Sequence, residues 1–172
     1  LVATGARPRP SNIPGLDQVG YHTSESMFEI DELPKRLVVI GGGPLGCELA
    51  QAYCRLGAHV TIVQNDPKFL PREERDAAEI LSRSMARDGV VIRLNTTVVG
   101  AHLQGGTKCL DTLNNDVKDC IEADAILLSI GRMPNTETLD LEVAGIEGDS
   151  AQGVTVDDFL RTTNQNVYAA GD

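Results

Sequence analysis

The chain has no tryptophan, and aromatic residues make up only 3% of its 172 positions. Its core must therefore be built from aliphatic side chains. Basic residues are outnumbered, 15 Lys and Arg against 25 Asp and Glu, for a net charge of −10. That balance argues against nucleic acid or an anionic membrane as partner, because both need clustered cations. No apolar run approaches the roughly 18 residues of a membrane span, and no signal-peptide pattern is present. The expected setting is the cytoplasm. Four cysteines occur, Cys47, Cys54, Cys109 and Cys120, but none forms C-x-x-C or C-x-x-x-x-C. No Cys/His cluster has zinc spacing, so no metal site is expected, and His22, His59 and His102 receive no role.

Cys47 and Cys54 fall on one face of an expected helix and read as small buried hydrophobes. If Asn114-Asn115 makes a two-residue hairpin turn, Cys109 faces Cys120 across two strands. Geometry leaves a disulfide open there, and a reducing compartment argues against it. Leu1 lies inside an apolar run and Asp172 follows Val167-Tyr168-Ala169-Ala170. Natural termini are more often polar, so both ends read as cut from something longer.

Residues 1–36 are rich in Pro and Gly and read as an extended lead-in with one short helix near Ser24–Ile30. A rhythm of strand and helix follows. Leu37–Ile40 is a continuous apolar run of the kind a buried parallel strand needs. Leu45–Leu56 carries an apolar stripe at Leu45, Leu49, Ala52 and Leu56, closed by Gly57. His59–Val63 is the next strand. Glu73–Asp88 is a second helix with Ala77, Ile80, Leu81 and Met85 inward, and Val90–Leu94 a third strand. Val98–Leu113 and Val117–Ile121 then read as short antiparallel strands turning at Gly105-Gly106 and Asn114-Asn115. Ala125–Ile130 returns to a buried strand. The order predicts an α/β fold, a Rossmann-like doubly wound parallel sheet with an antiparallel β-meander attached.

Gly41-Gly42-Gly43-Pro44-Leu45-Gly46 matches G-x-G-x-x-G between an expected buried strand and an expected helix. Gly41 permits the tight turn, Gly43 lets a pyrophosphate approach the backbone, and Gly46 lets the helix pack against the strand. The helix N-terminus then offers free N–H groups and partial positive charge to phosphates. This predicts binding of NADH or NADPH. At the end of the second strand, where an acidic residue would mark NAD and a nearby Arg NADP, stands Gln64, followed by Asn65 and Asp66. Gln64 can bond a ribose hydroxyl, and Asp66 disfavours a 2′-phosphate. Lys68 and Arg72 would favour one only by folding back. The balance leans to NADH.

The stretch VVIGGGPLGCELAQAYCRLGAHVTIV resembles the pyridine-nucleotide domain of class I flavoprotein disulfide oxidoreductases, which include dihydrolipoamide dehydrogenase, glutathione reductase and mercuric reductase. The triple Gly with Pro, VTIVQ and Leu70-Pro71-Arg72-Glu73 are most similar to the mercuric-reductase-like branch. Ile130-Gly131-Arg132-Met133-Pro134-Asn135 resembles the family's IGRxPN segment. Ala3-Thr4-Gly5 and Ala170-Gly171-Asp172 resemble the ATG and AGD motifs of its FAD domain. The resemblance covers the whole chain. It implies that 1–35 is a remnant and connector from an FAD domain, 36–135 the NAD(P)H-binding domain, and 136–172 a connector back.

The resemblance also implies site residues. Gly41, Gly42, Gly43, Pro44, Leu45, Gly46 and Glu48 would hold the nucleotide, Gln64 and Asn65 its ribose end, and Val98, Gly131 and Arg132 would line it. Thr4, Gly5, Gly171 and Asp172 would meet FAD in an intact parent. Glu48 would pair with a flavin-side Lys absent from this chain; a first-turn carboxylate favoured by the helix dipole is an equal reading. Hydride would pass from NAD(P)H to FAD in a parent that is a homodimer with FAD and C-terminal interface domains. The fragment alone would not be catalytically competent. The redox-active C-x-x-x-x-C is absent, and Gln64 and Asn65-Asp66 depart from the residues that read the ribose in dihydrolipoamide dehydrogenase and glutathione reductase. The rival readings are a parent without a redox disulfide, of NADH oxidase or ferredoxin reductase type, a non-catalytic nucleotide-sensing module, and a methyltransferase-like domain.

Overall fold

The computed structural model describes residues 1–172. In chain order its elements are β1 (Ala6–Pro8), α1 (Leu16–Val19), β2 (Arg36–Ile40), α2 (Pro44–Leu56), β3 (His59–Val63), α3 (Arg75–Asp88), β4 (Val91–Arg93) and β5 (Thr97–Gln104). There follow β6 (Thr107–Asn114), β7 (Val117–Ala123), β8 (Ala125–Leu128), β9 (Arg132–Pro134), β10 (Gly148–Asp149) and β11 (Gly153–Val154). The chain divides into two compact units, Pro10–Ile130 and Leu1–Arg9 with Gly131–Asp172.

In the larger unit four parallel strands pair in the order β4-β3-β2-β8. Leu37, Val38, Val39 and Ile40 of β2 and all four residues of β8 are buried. A central parallel strand covered on both faces needs such a continuous apolar run. One face is covered by α2 and α3, which bring Cys47, Leu49, Ala50, Tyr53, Ala78 and Met85 against Leu37, Val39 and Ile62. The other face is covered by α1 and the three-stranded meander β5-β6-β7, through Leu16, Val98, Ala101, Leu110 and Ile121 against Val38, Ile126 and Leu128. The α/β class, the parallel sheet and the antiparallel strands are as the sequence predicts.

Several details differ from the sequence reading. In α2 the inward residues are Cys47, Leu49, Ala50 and Tyr53, so Leu49 is buried as expected, while Ala52 is exposed and Leu56 is 68% exposed. In α3 they are Ala78, Leu81 and Met85, while Ile80 is 67% exposed. Both helices bury a stripe set by their roll on the sheet, and Leu56 and Ile80 fall off it. The helix expected near Ser24–Ile30 is a single 3-10 turn, Met27–Glu29, and α1 forms ahead of it. The second hairpin turns at Asn115-Asp116, both with positive φ, one residue later than expected, and pairs Asn114 with Val117. Two successive residues in the left-handed region are what a tight hairpin demands, and Asn and Asp tolerate it.

Residues 10–35, read from sequence as connector, pack into the larger unit. Leu16 and Met27 are each 1% exposed or less. The N–H of His22 donates to Ile126 O and the N–H of Leu128 donates to His22 O, each at 2.8 Å. The Tyr53 hydroxyl, on α2, donates to the buried carbonyl of Met27 at 2.6 Å. The larger compact unit therefore takes in residues 10–35 together with the parallel sheet.

The smaller unit is built on paired chain ends. β1 runs antiparallel to β9, Ala6 opposite Pro134. Val2 bridges Ala169 in parallel. Asn135 accepts from the Arg7 guanidinium at 2.8 Å and donates to Thr4 O at 3.0 Å. Arg7 also pairs with Glu137 at 2.5 Å.

Two outcomes follow. Tyr53→Phe should lower unfolding stability by about 1–2 kcal/mol in denaturant titration, because it leaves a buried carbonyl without its donor. The Arg7 guanidinium, chiefly through its hydrogen bond, holds the Glu137 carboxyl at about 2, below its ordinary 4.5. Its contribution to stability is therefore present above about pH 4.5 and fades as pH falls toward 2. An NMR titration should place the Glu137 midpoint near 2 and return it to the ordinary range in Arg7→Ala.

Candidate nucleotide site

The turn from β2 into α2 is shaped by steric contacts that only glycine survives. Gly41 has φ +101°, and a Cβ there would sit 2.2 Å from the backbone oxygen of Ser129, just past β8. A Cβ on Gly46 would sit 2.3 Å from Gly41 O. Strand end and first helical turn are thus in direct backbone contact, as a short crossing into a helix requires. Gly43 differs. Its φ is −74°, any residue could adopt it, and a Cβ there would meet nothing within 4 Å. The space above Gly43 is open.

Gly43 is also the N-cap of α2, with Pro44 in the first helical turn, no side chain capping the end and no acidic residue in the first turn. Pro at this position loses nothing, since its missing N–H would have had no intrahelical partner. The Leu45 and Gly46 N–H groups stand at the positive end of a 13-residue helix. A small anion above Gly43 would find donors and charge.

Gln64, just past β3, is half-buried, and its Oε1 accepts the Gly42 N–H at 2.8 Å. The side chain therefore clamps the glycine loop to the neighbouring strand and leaves its amide NH2 free to donate. Sequence reasoning gave Gln64 a ligand role and missed this clamp; a glutamine at a strand end beside a glycine turn is the signal that could have found it. Thr96 N–H and Asn95 N–H hold the carbonyls of Gln64 and Asp66, at 2.9 and 3.1 Å. Asp66 Oδ1 accepts from the Lys68 N–H at 2.8 Å. Asn65, Lys68 and Arg72 are exposed. Arg75 donates to the carbonyls of Phe69, Leu70 and Glu73 and so organises the loop that follows.

A cavity of about 300 Å³ lies beside the loop, between α2, the 70–74 segment and α3, and includes Pro44, Glu48, Gln51, Leu70 and Leu81. Glu48 is exposed on its rim. Cys47, beneath it, has its thiol pushed up to about 12 by burial and, second, by the Glu48 carboxylate. It stays protonated near neutral pH and contacts Gly42 O at 3.6 Å, which excludes a thiolate nucleophile there. Val98 points into the core, so only its backbone faces outward, next to a bulge before Gly100.

The smaller unit gathers the remaining expected residues. Gly131 has φ +108°, with open space where a Cβ would be. Arg132 donates to Ala6 O and pairs with Asp172 at 3.5 Å. Its guanidinium is engaged within its own unit, where the resemblance assigned it to the nucleotide. Thr4, Gly5, Gly171 and Asp172 line a cavity of about 250 Å³. Sequence reasoning assigned no partner to His102, yet the meander sets it beside Cys109 and Asp111. Cys109 and Cys120 are paired as a disulfide, against the expectation of free thiols. The later turn makes them diagonal neighbours, with Cα atoms 5.9 Å apart.

A family model described as pyridine nucleotide-disulphide oxidoreductase matches residues 1–172. The chain belongs to that family. Among members of the oxidoreductase family, mercuric reductase of Bacillus cereus is 37% identical over all 172 residues. The chain spans 27% of that relative's length. The copper(II) complex of the HOCl-induced flavoprotein disulfide reductase RclA from Escherichia coli is 33% identical, with a TM-score of 0.86 over 99% of this chain and 39% of that one. A water-forming NADH oxidase from Lactobacillus brevis, bound to NADH, is 27% identical, with a TM-score of 0.81 over 99% of this chain and 38% of that one. No helix of the chain is long and apolar enough to cross a membrane.

The contrast between two glycines is testable. Gly41→Ala should destabilise the chain by about 3 kcal/mol or more, through backbone clash and a strained φ. Gly43→Ala should change stability by no more than about 1 kcal/mol, the modest loss of a glycine cap. Thermal unfolding of the two variants side by side decides it.

Proposed function

We propose that this chain is the NAD(P)H-binding part of an FAD-dependent disulfide oxidoreductase, positioning the nucleotide for hydride transfer to a flavin. The observation that carries the reading is the open space over Gly43 at an uncapped helix N-terminus, which fits a pyrophosphate. Gly41 and Gly46 let that helix end approach the strand, the Leu45 and Gly46 N–H groups donate, and Gln64 keeps the Gly42 backbone in place. Membership of the family and likeness to an NADH-bound oxidase support it.

NADH is the favoured nucleotide. No cation is committed to the ribose end: Arg75 is spent on three carbonyls, Arg93 pairs with Asp119, and Asp66 adds negative charge. Gln64, with its amide NH2 free, can donate to a ribose hydroxyl without attracting a 2′-phosphate. The chemistry supplied by NADH and FAD is hydride transfer; the chain's share is binding and orientation. Glu48, exposed beside the loop, would answer a cation of the flavin-side domain. The cavity of about 250 Å³ at Thr4, Gly5, Gly171 and Asp172 is smaller than a usual ligand pocket of roughly 300–1,000 Å³. It does not fit FAD by itself, so no step is assigned to it. The remaining FAD and interface domains, and a homodimeric parent, are part of the same proposal. A parent without a redox disulfide is the second reading, favoured by the likeness to the water-forming NADH oxidase. Both readings give this chain the same task.

Calorimetric titration of the chain with NADH and with NADPH tests the proposal. NADH should bind at least about tenfold more tightly, a difference of about 1.4 kcal/mol. Gly43→Val should abolish binding with the fold retained. Equal affinity of Gly43→Val and the parent chain for NADH would overturn the assignment of the loop.

A further inference from the structure

The outer face of the meander carries a second set of chemistry-bearing side chains, outside the nucleotide site. His102 on β5 lies directly opposite Cys109 on β6, and Asp111, two residues along β6, lies directly opposite Cys120 on β7. The four occupy adjacent positions on one face, because residues two apart on a strand share a face. His102 Nδ1 is 3.1 Å from Asp111 Oδ2. One ligand atom each from His102, Cys109 and Asp111 lies within 4.8 Å of the others, and the Cys120 sulfur adjoins that of Cys109.

We propose that the reduced Cys109–Cys120 pair, with His102 and Asp111, binds one zinc-like divalent metal ion, and that oxidation to the disulfide releases it. Two thiolates, an imidazole and a carboxylate make a donor set suited to tetrahedral zinc. Ligand bonds of about 2.0–2.3 Å put neighbouring ligand atoms roughly 3.3–3.8 Å apart. Side-chain rotation closes the set, since the backbone positions are held by two antiparallel ladders. The His102 and Asp111 side chains are each 47% exposed and give an ion its way in, while Cys109 is 1% exposed beneath them. All four ligand positions come from protein, so the site is closed rather than catalytic. Its absence from the spacing rules is natural: the ligands sit on three strands, at intervals no zinc pattern contains.

Release runs by thiol–disulfide exchange with a small-molecule disulfide. One cysteine thiolate attacks it and expels the first small thiolate. The second cysteine attacks the mixed disulfide and expels the other. Two electrons pass to the small molecule, two thiolates leave and take up protons, and the metal loses both sulfur ligands.

The test uses the full chain, reduced with a phosphine and titrated with Zn²⁺ against a chromophoric chelator, and with Co²⁺ for spectroscopy. Cys109 is buried, so Cys120→Ser and His102→Ala, both at exposed positions, serve as the variants. The reduced chain should bind one equivalent of Zn²⁺ and show a thiolate-to-cobalt charge-transfer band. Each variant should weaken Zn²⁺ binding by roughly a hundredfold, since even outer-shell changes reach about 10–100-fold. Oxidised glutathione should release the metal as the chain loses two of its own thiols and two equivalents of reduced glutathione form. The proposal falls if the reduced chain binds no Zn²⁺, if both variants bind as tightly as the parent, or if the oxidised chain binds as tightly as the reduced one.

Discussion

The structure turns on a place where three backbone segments meet with no room for a methyl group. The end of β2, the residue after β8 and the first turn of α2 converge at Gly41, Ser129 and Gly46, and a Cβ at either glycine would lie within 2.3 Å of a backbone oxygen. Because the helix starts this close to the strand, its N-terminal N–H groups stand at the carboxyl edge of the parallel sheet. Gln64 braces the loop from the adjacent strand. The open space over Gly43 is therefore a product of crowding on either side of it.

The rest of the larger unit keeps that junction rigid. The parallel sheet is sealed on one face by α2 and α3 and on the other by α1 and the meander. With so few aromatic side chains, this seal is mainly aliphatic, Leu, Val, Ile, Ala and Met packed in two layers, with Phe69 among them. Tyr53 is an exception with a distinct task, since its hydroxyl ties α2 to the 3-10 turn at Met27.

Much of this was legible in the chain. Leu37–Ile40 and Ala125–Ile130 read as buried strands because a strand covered on both faces has no polar alternation to blur it, although the second strand ends at Leu128 and Ile130 is exposed. The glycine loop was legible because a G-x-G-x-x-G between such a strand and a helix has few other uses. The roll of the helices was not. Ala52, Leu56, Ala77 and Ile80 are apolar yet face outward, and a helical period alone cannot say which of two overlapping stripes meets the sheet. The bracing role of Gln64 and the grouping of His102 with Cys109 and Asp111 depend on cross-strand register. What the second hairpin changed was the place of Cys120: with the turn displaced by one residue, from Asn114-Asn115 to Asn115-Asp116, it lies opposite Asp111 and diagonal to Cys109.

The single bridge made by His22 has a consequence for how the sheet meets other molecules. The open side of β8 would present a row of unpaired amides and carbonyls in an apolar strand, a template for intermolecular pairing. His22 occupies it, taking Ile126 O and Leu128 N–H at 2.8 Å each. The opposite side ends in β4, only three residues long. A version of this fold trimmed to begin at Arg36 would keep every strand of its sheet and still lose its guard against self-templating. The lead-in segment is thus an edge protector as much as a connector.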